Sequence, residues 1–122
     1  MPKNKLRYPV VTLCGSTKFY DDFMVAQKEL TTEGNVVLCC PVFHHSRDKE
    51  YWDSLSDDEK VRLHNLLKEE HFQRIDMCDA ILVVNPNDYI GESTKSEIEY
   101  ARQTGKGVMY MYKNGVPRWT KA

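Results

Sequence analysis

The segment at residues 80–85, AILVVN, restricts the possible folds more than any other part of the chain. It is almost wholly apolar and lacks the polar alternation of a strand that faces water on one side. Such strands are typical of the centre of a parallel sheet, where helices cover both faces. The sequence therefore predicts an α/β fold with this strand in a central position.

Strand-like and helix-like segments alternate along the rest of the chain. The predicted elements are strands at 8–14, 35–43, 80–85 and 107–112, and helices at 17–32, 57–77 and 93–103. We expect residues 1–122 to form a single domain, because the chain is long enough for one core only. The expected architecture is a flavodoxin-like or Rossmann-like three-layer sandwich with a four- to five-stranded parallel sheet.

Three local patterns complete this prediction. Ser56 and Glu59 form an S-x-x-E capping box, which predicts the start of the second helix. The segment 44–56 has no clear period and is predicted to be the longest loop. The tail after residue 112 is expected either to add a short fifth strand or to remain irregular.

The charge and the cysteines narrow the possible partners. Seventeen basic and eighteen acidic residues give a net charge of −1, so long nucleic acid is not an expected ligand. No apolar run approaches the roughly 20 residues of a membrane span, and the first residues lack the apolar core of a signal peptide. The four cysteines lie mostly in apolar runs, which predicts reduced thiols in the cytoplasm. Neighbouring Cys39 and Cys40 point to opposite faces of a strand, so we expect no metal site.

Two loops at the carboxyl ends of the first two strands are candidate binding segments, since ligands of parallel sheets bind at that edge. Gly15, Ser16 and Thr17 combine a glycine with two hydroxyls before a helix, where backbone N–H groups attract anions or sugar oxygens. The alternative is that Ser16 or Thr17 only caps the helix. Phe43 and His44 stand where the second loop would contact a base, or they are simply solvated.

The third loop is the most informative, because it crowds a glycine, three hydroxyls and two carboxylates into residues 91–97. Glu97 is the candidate centre of the chemistry. Thr94 and Glu97 also fit a capping box, in which Glu97 would only bind the backbone of the cap residue. The expected position of this turn, after the central strand and facing the crevice, favours a functional role.

The residues around Glu97 resemble a known family. The segment 97–101, EIEYA, followed by Gly105 and Lys106, is similar to the E-L-G-x-A and G-K-x-V signature of the nucleoside 2-deoxyribosyltransferase family and its nucleotide-hydrolysing relatives. Asp79 before the strand at 80–85 resembles the aspartate that precedes the same strand in that family. Gly15 and Ser16 are similar to the opening of the nucleotide N-hydrolase branch. The resemblance covers nearly the whole chain in order.

This resemblance implies an enzyme that cleaves or exchanges the N-glycosidic bond of a (deoxy)nucleoside or its 5′-monophosphate. Glu97 would be the nucleophile on C1′, as in retaining glycosidases. No cofactor is implied, and a homodimer or larger homo-oligomer is expected, because relatives complete their sites with a neighbouring subunit.

The family's companion residues differ in this chain. His71 stands where the family has the aspartate that serves as proton donor, and it is either the acid or a partly exposed helix histidine. Gly91 replaces the family's aspartate or serine at the 5′ end of the sugar. Ser93 is the natural substitute for that contact, unless it only caps the helix. Asp79 and Thr94 complete the predicted substrate-binding residues.

Two other interpretations remain open. A degenerate member of the fold would bind a nucleotide-derived signal without turnover, which the replacements at His71 and Gly91 motivate. A flavodoxin-like interaction domain would use Glu97 only as a cap.

Overall fold

The computed structural model describes residues 7–40 and 45–119 and confirms the predicted α/β fold. Its strands are β1 (Val10–Gly15), β2 (Val36–Leu38), β3 (Ala80–Val84), β4 (Gly107–Tyr110), β5 (Tyr112–Lys113) and β6 (Val116–Pro117). Its helices are α1 (Tyr20–Thr32), α2 (His45–Ser54), α3 (Asp57–Asp76) and α4 (Glu92–Gln103), with a short 3-10 turn at Pro86–Asp88. None of the helices in these ranges is long and apolar enough to cross a membrane.

The main sheet has four parallel strands in the order β2-β1-β3-β4. The central position of β3 is confirmed: it pairs with β1 on one side and β4 on the other, and four of its five residues are fully buried. The chain passes from β1 outward to β2 and then crosses back to β3. Strand order therefore reverses between β1 and β3, which places the ligand crevice of this fold at their carboxyl ends.

Helices cover both faces of the sheet, as a three-layer sandwich requires. On one face, α1 packs on alternate residues of β1 and β3, through Phe23, Ala26 and Leu30 against Val11, Leu13, Leu82 and Val84. On the other face, α3 and α4 pack on the residues between them, through Ile75, Ile98 and Ala101 against Cys14, Ile81 and Val83. The core is thus two apolar layers separated by the sheet, and the side chains of β1 and β3 alternate between them.

The prediction of a long loop at 44–56 is wrong in part, because residues 45–54 form α2. Its described residues from 49 to 54 are exposed except Trp52, so no apolar stripe marks the helix in the sequence. A Lys49 to Asp53 ion pair at 2.8 Å, one helical turn apart, is the local contact that the pattern did not reveal.

Up to residue 119, where the described range ends, the tail adds no strand to the parallel sheet. Instead β5 and β6 pair antiparallel as a separate hairpin. Its turn is Asn114 and Gly115, with φ of 54° and 77°. Two consecutive positive φ values define the turn that fits the twist of a two-residue hairpin, and Asn-Gly is its preferred sequence. The Asn-Gly pair was the signal for this hairpin.

The helix starts show which of the predicted capping interactions form. The box at the start of α3 is confirmed: Glu59 N donates to Ser56 Oγ at 3.1 Å, and Ser56 N donates to Glu59 Oε1 at 2.9 Å. Helix α1 begins at Tyr20, later than the predicted residue 17, with Phe19 as its N-cap residue and no side-chain cap. Neither Ser16 nor Thr17 is therefore its cap.

Candidate active site

A crevice of about 460 Å³ opens at the carboxyl ends of β1 and β3, as predicted, and is large enough for a small metabolite. Gly15, Ser16 and Thr17 line it from the loop after β1. Gly91, Ser93 and Thr94 line it from the start of α4. His71 and Glu97 also line this crevice, so eight of the eleven predicted site residues come together there.

Glu97 does not cap its helix. Helix α4 begins at Glu92 with Gly91 as the N-cap residue and has no side-chain cap, so Glu97 lies in the second turn and the predicted box with Thr94 does not form. The Glu97 side chain is 13% exposed, and its Oε2 accepts a hydrogen bond from Ser93 Oγ at 3.3 Å. Its carboxylate is thus held in place at the crevice wall, away from the backbone of the helix start.

His71 is buried, which excludes the alternative interpretation of a partly exposed helix histidine. It is 6% exposed and lies on the face of α3 that packs against α4. Its Nε2 lies 3.4 Å from Glu97 Oε1 and 3.4 Å from Cys14 Sγ. Its Nδ1 is buried and has no hydrogen-bond partner among the described residues. His71 therefore contacts Glu97 and Cys14 through Nε2.

Cys14 is a site residue that the sequence did not reveal. It is the fifth residue of β1, fully buried, and it contacts His71. Burial raises the pKa of the Cys14 thiol well above its ordinary value, and the neighbouring Glu97 carboxylate raises that pKa further. The thiol thus stays neutral near pH 7, which is unfavourable for a cysteine nucleophile. In the sequence Cys14 looked like a core residue, and its place next to Gly15 at the strand end was the only signal.

The loop after β1 has a geometry that only glycine accepts at its first position. Gly15 has φ of 152°, and a Cβ there would lie 2.7 Å from the carbonyl oxygen of Val84. This close approach brings the loop against the end of β3. Ser16 Oγ accepts a weak hydrogen bond from Lys18 N at 3.4 Å, and Phe19 N donates to the Ser16 carbonyl at 3.1 Å. The loop is a tight turn that presents Ser16 and Thr17 to the crevice.

Asp79 is not in the crevice, so its prediction as a substrate contact is wrong. It directly precedes β3 and therefore lies at the amino edge of the sheet, opposite the site. Its Oδ2 accepts a hydrogen bond from Val10 N at 2.8 Å, and Arg7 lies 3.9 Å from its Oδ1. Asp79 ties the starts of β1 and β3 together. Phe43 and His44, the remaining predicted residues, lie outside the described ranges.

Several crevice residues come from segments that the sequence analysis did not single out. Among them are Trp52 of α2 and His64 and Lys68 of α3, which also line the crevice. His64 and His71 are seven residues apart, which places them on the same helix face. That spacing was visible in the sequence. Trp52 was hidden because α2 itself was not predicted.

Tyr89 and Lys18 form the rim between the first and third loops. Tyr89 lines the crevice, and Lys18 Nζ lies 3.9 Å from the centroid of its ring. Phe19 packs edge-on against the same ring at 5.7 Å between centroids. A cation held at the rim by an aromatic face favours the entry of an anionic ligand.

No protein-family model matches the chain, and comparison with curated proteins gives no match.

Proposed function

We propose that this protein cleaves or exchanges the N-glycosidic bond of a (deoxy)nucleoside or a nucleoside 5′-monophosphate. The observation that carries the proposal is Glu97. It is a largely buried carboxylate at the ligand edge of the sheet, held by Ser93 and His71, and it caps no helix. Burial of a carboxylate costs free energy, so a carboxylate kept at this edge of the sheet without a capping role favours a functional one. The resemblance of residues 97–101 to the transferase signature supplies that role.

In the proposed reaction, a carboxylate oxygen of Glu97 attacks C1′ of the sugar. The C1′–N bond breaks, and its electron pair leaves with the base, which takes up a proton. A glycosyl ester on Glu97 results, and water or a second base then attacks C1′ and frees the carboxylate. Two displacements at C1′ retain the configuration of the sugar. Hydrolysis and transfer differ only in which acceptor reaches the ester first.

The contact between His71 and Glu97 supports a positioning role for His71 in place of the expected acid role. The acid must reach the leaving base, which departs from the side of C1′ opposite the nucleophile. Paired carboxyl groups of retaining glycosidases are accordingly about 5 Å apart. His71 Nε2 lies only 3.4 Å from Glu97 Oε1, and its Nδ1 faces the interior. We therefore assign His71 to the orientation of the nucleophile.

The crevice walls suggest where the other parts of the substrate bind. His64, which lines the crevice, is our candidate for the proton donor to the base. Ser93 is already engaged by Glu97 Oε2, so it is less suited than Ser16 and Thr17 to bind the 5′ end of the sugar. Lys18 at the rim favours a 5′-phosphate over a free hydroxyl.

The proposed function also leads us to propose an oligomeric state and a cellular compartment. We propose that a second copy of the chain completes the crevice in a homodimer or a larger homo-oligomer, as a neighbouring subunit does in the family that residues 97–101 resemble. We also propose a cytoplasmic location, since Cys14, Cys39, Cys40 and Cys78 are all free thiols.

The test is base release from a panel of nucleosides and 5′-monophosphates, followed by chromatography with and without added adenine. Wild-type protein is expected to release or exchange base, and Glu97→Ala to lower the rate by about 1,000-fold or more. Glu99→Ala is the matched control, because Glu99 is an exposed carboxylate on the same helix that bonds only to Gln103 among the contacts described. Equal losses in both variants, or no release from any substrate, would contradict the proposal.

A non-catalytic nucleotide-binding module is the second candidate. The observation in its favour is that the position of the family's acidic proton donor holds His71, whose reactive nitrogen is occupied by Glu97 and Cys14. Calorimetric titration with the same panel separates the two. Tight binding without base release favours the module.

A further inference from the structure

Three potential metal-ligand atoms from three different elements converge at the floor of the crevice. They are Cys14 Sγ of β1, His71 Nε2 of α3 and a carboxylate oxygen of Glu97 of α4, all within 4.8 Å of one another. We propose that these three side chains bind Zn²⁺ when the crevice holds no nucleoside. The inference rests on their geometry and holds whether or not the proposed reaction is correct.

Two of the three distances between the ligand atoms match those of tetrahedral zinc. Bonds of about 2.3 Å to sulfur and about 2.0 to 2.1 Å to nitrogen or oxygen place the sulfur about 3.6 Å from the nitrogen at the tetrahedral angle. The same bonds place the nitrogen about 3.3 Å from the oxygen. The structure has 3.4 Å between Cys14 Sγ and His71 Nε2, and 3.4 Å between His71 Nε2 and Glu97 Oε1. The third pair, Cys14 Sγ and the Glu97 oxygen, lies within 4.8 Å. Tetrahedral zinc places such a pair about 3.6 Å apart, so binding brings these two atoms to that distance by rotation of the side chains.

The chemical types of the three ligands favour zinc over other metal ions. Thiolate, imidazole and carboxylate together are ligands of zinc, whereas Mg²⁺ and Ca²⁺ require mostly oxygen. The charges also balance, because Zn²⁺ with one thiolate and one carboxylate forms a neutral site, which burial tolerates. Binding releases the Cys14 proton to solvent. Three protein ligands leave the fourth position open toward the crevice, where a water completes the tetrahedron.

The surroundings of the three ligands predict reversible binding. Ser93 Oγ holds Glu97 Oε2 and thereby orients Oε1 toward the ion. His71 Nδ1 has no acceptor among the described residues, whereas histidines that bind metal usually donate this N–H to one. Loss of such an outer contact costs about 10-fold to 100-fold in affinity. We therefore expect an affinity in the micromolar range, well below that of a structural zinc site.

Occupancy by zinc has a consequence for the proposed reaction. The ion binds the Glu97 oxygen that would attack C1′. Zinc and nucleoside therefore compete for the same carboxylate. Zn²⁺ is then a competitive inhibitor of base release, and a chelator restores the rate. This consequence, unlike the metal site itself, depends on the proposed function.

The test uses Co²⁺ as a spectroscopic probe on tag-free protein under reducing conditions. Wild-type protein is expected to show a thiolate-to-cobalt charge-transfer band and intense tetrahedral ligand-field bands, both lost on addition of Zn²⁺. Cys14→Ser is expected to remove the charge-transfer band. Glu97→Gln is expected to keep it and to weaken Co²⁺ binding by about 10-fold or more. Because Glu97 lies on the crevice wall, Glu97→Gln remains informative if Cys14→Ser fails to fold.

The matched control is Cys39→Ser, whose thiol lies outside the cluster and does not line the crevice. It is expected to retain the wild-type spectrum. The proposal is overturned if wild-type protein gives no charge-transfer band at millimolar Co²⁺, or if the band disappears in the control and survives in Cys14→Ser. Base release is measured separately on metal-free protein, so a cobalt spectrum without base release rejects the proposed function alone.

Discussion

At the residue scale, the site depends on a direct contact between two side chains that are far apart in the sequence. His71 and Glu97 come from different helices, and α3 and α4 meet only because both pack on the same face of the sheet. Glu97 could be predicted because its neighbours at 97–101 follow a recognisable pattern. The burial of His71 could not, because it depends on how α4 lies against α3. Cys14 was missed for a related reason, since a buried thiol in a strand has the same sequence signature as a core residue.

The positioning role that we propose for His71 predicts different effects for two substitutions. A glutamine amide can donate a hydrogen bond to Glu97 but cannot transfer a proton. His71→Gln should therefore keep kcat within about 10-fold of wild type, while His71→Ala should lose about 100-fold. The pH profile of kcat for His71→Gln should match that of the wild type.

An acid role for His71 leads to a different result. Both variants would then lose about 100-fold to 10,000-fold, and one limb of the pH profile would disappear in each. Melting temperatures of both variants separate loss of the fold from loss of the contact.

At the element scale, two identical capping patterns in the sequence have different outcomes. Ser56 is an N-cap residue in extended conformation, with φ of −70° and ψ of 165°, and its box with Glu59 forms. Thr94 fits the same pattern, but α4 starts two residues earlier and leaves Thr94 inside the helix. The pattern alone cannot choose between these outcomes, because the helix start is fixed by the chain path from the end of β3. The sequence predicted that a helix forms here, but it did not predict the residue at which the helix begins.

The capping box of α3 predicts a measurable loss of stability. Ser56→Ala removes the acceptor for Glu59 N and should lower the free energy of unfolding by about 1 kcal/mol. For a chain of this size that corresponds to a fall in Tm of about 4 °C. Ser56→Thr keeps a hydroxyl and should stay close to wild type. Urea unfolding of the three proteins is the measurement, and equal stability of wild type and Ser56→Ala would disprove a contribution from the box.

At the scale of the whole molecule, the strand order explains the position of the crevice. In the strand order β2-β1-β3-β4, β1 and β3 are paired neighbours, but the helices that follow them cover opposite faces of the sheet, so the loops after these strands leave an opening. The apolar strand at 80–85 and the alternation of strands and helices predicted a parallel sheet with a ligand crevice at its carboxyl edge, but not the order of the strands. Apolar periodicity could not predict the antiparallel hairpin or α2, because the hairpin strands have two residues each and the described residues of α2 show no apolar stripe.

The C-terminal hairpin is tied to α1 by a hydrogen bond that spans 90 residues of sequence. Tyr112 OH donates to Asp22 Oδ1 at 2.6 Å, and this bond raises the pKa of Tyr112 to about 12. A tyrosine in the unfolded chain loses its proton near pH 10. Between these values the folded protein binds more protons than the unfolded one, so stability falls as the pH rises from about 10 to 12.

Tyr112→Phe tests this contact. At pH 8 the variant should be less stable than wild type by about 1 kcal/mol, because a partly exposed hydrogen bond to a carboxylate is lost. The difference should narrow between pH 10 and 12, since the wild type loses the same bond there when Tyr112 ionises. Chemical denaturation at several pH values measures both effects. A difference that stays constant up to pH 12 would show that the contact does not raise the pKa.

The central claim is that Glu97 forms a covalent bond to the sugar, and trapping that intermediate tests it most directly. A 2′-deoxy-2′-fluoroarabino nucleoside, with the base that the panel identifies, slows both steps because fluorine destabilises an oxocarbenium-like transition state. Quenched protein is digested with trypsin, which releases the peptide 96–102 by cleavage after Lys95 and Arg102. We expect a fluorosugar adduct on this peptide, assigned by fragmentation to Glu97 and not to Glu99. Base release without an adduct, or an adduct on any other residue, would contradict the role of Glu97 as nucleophile.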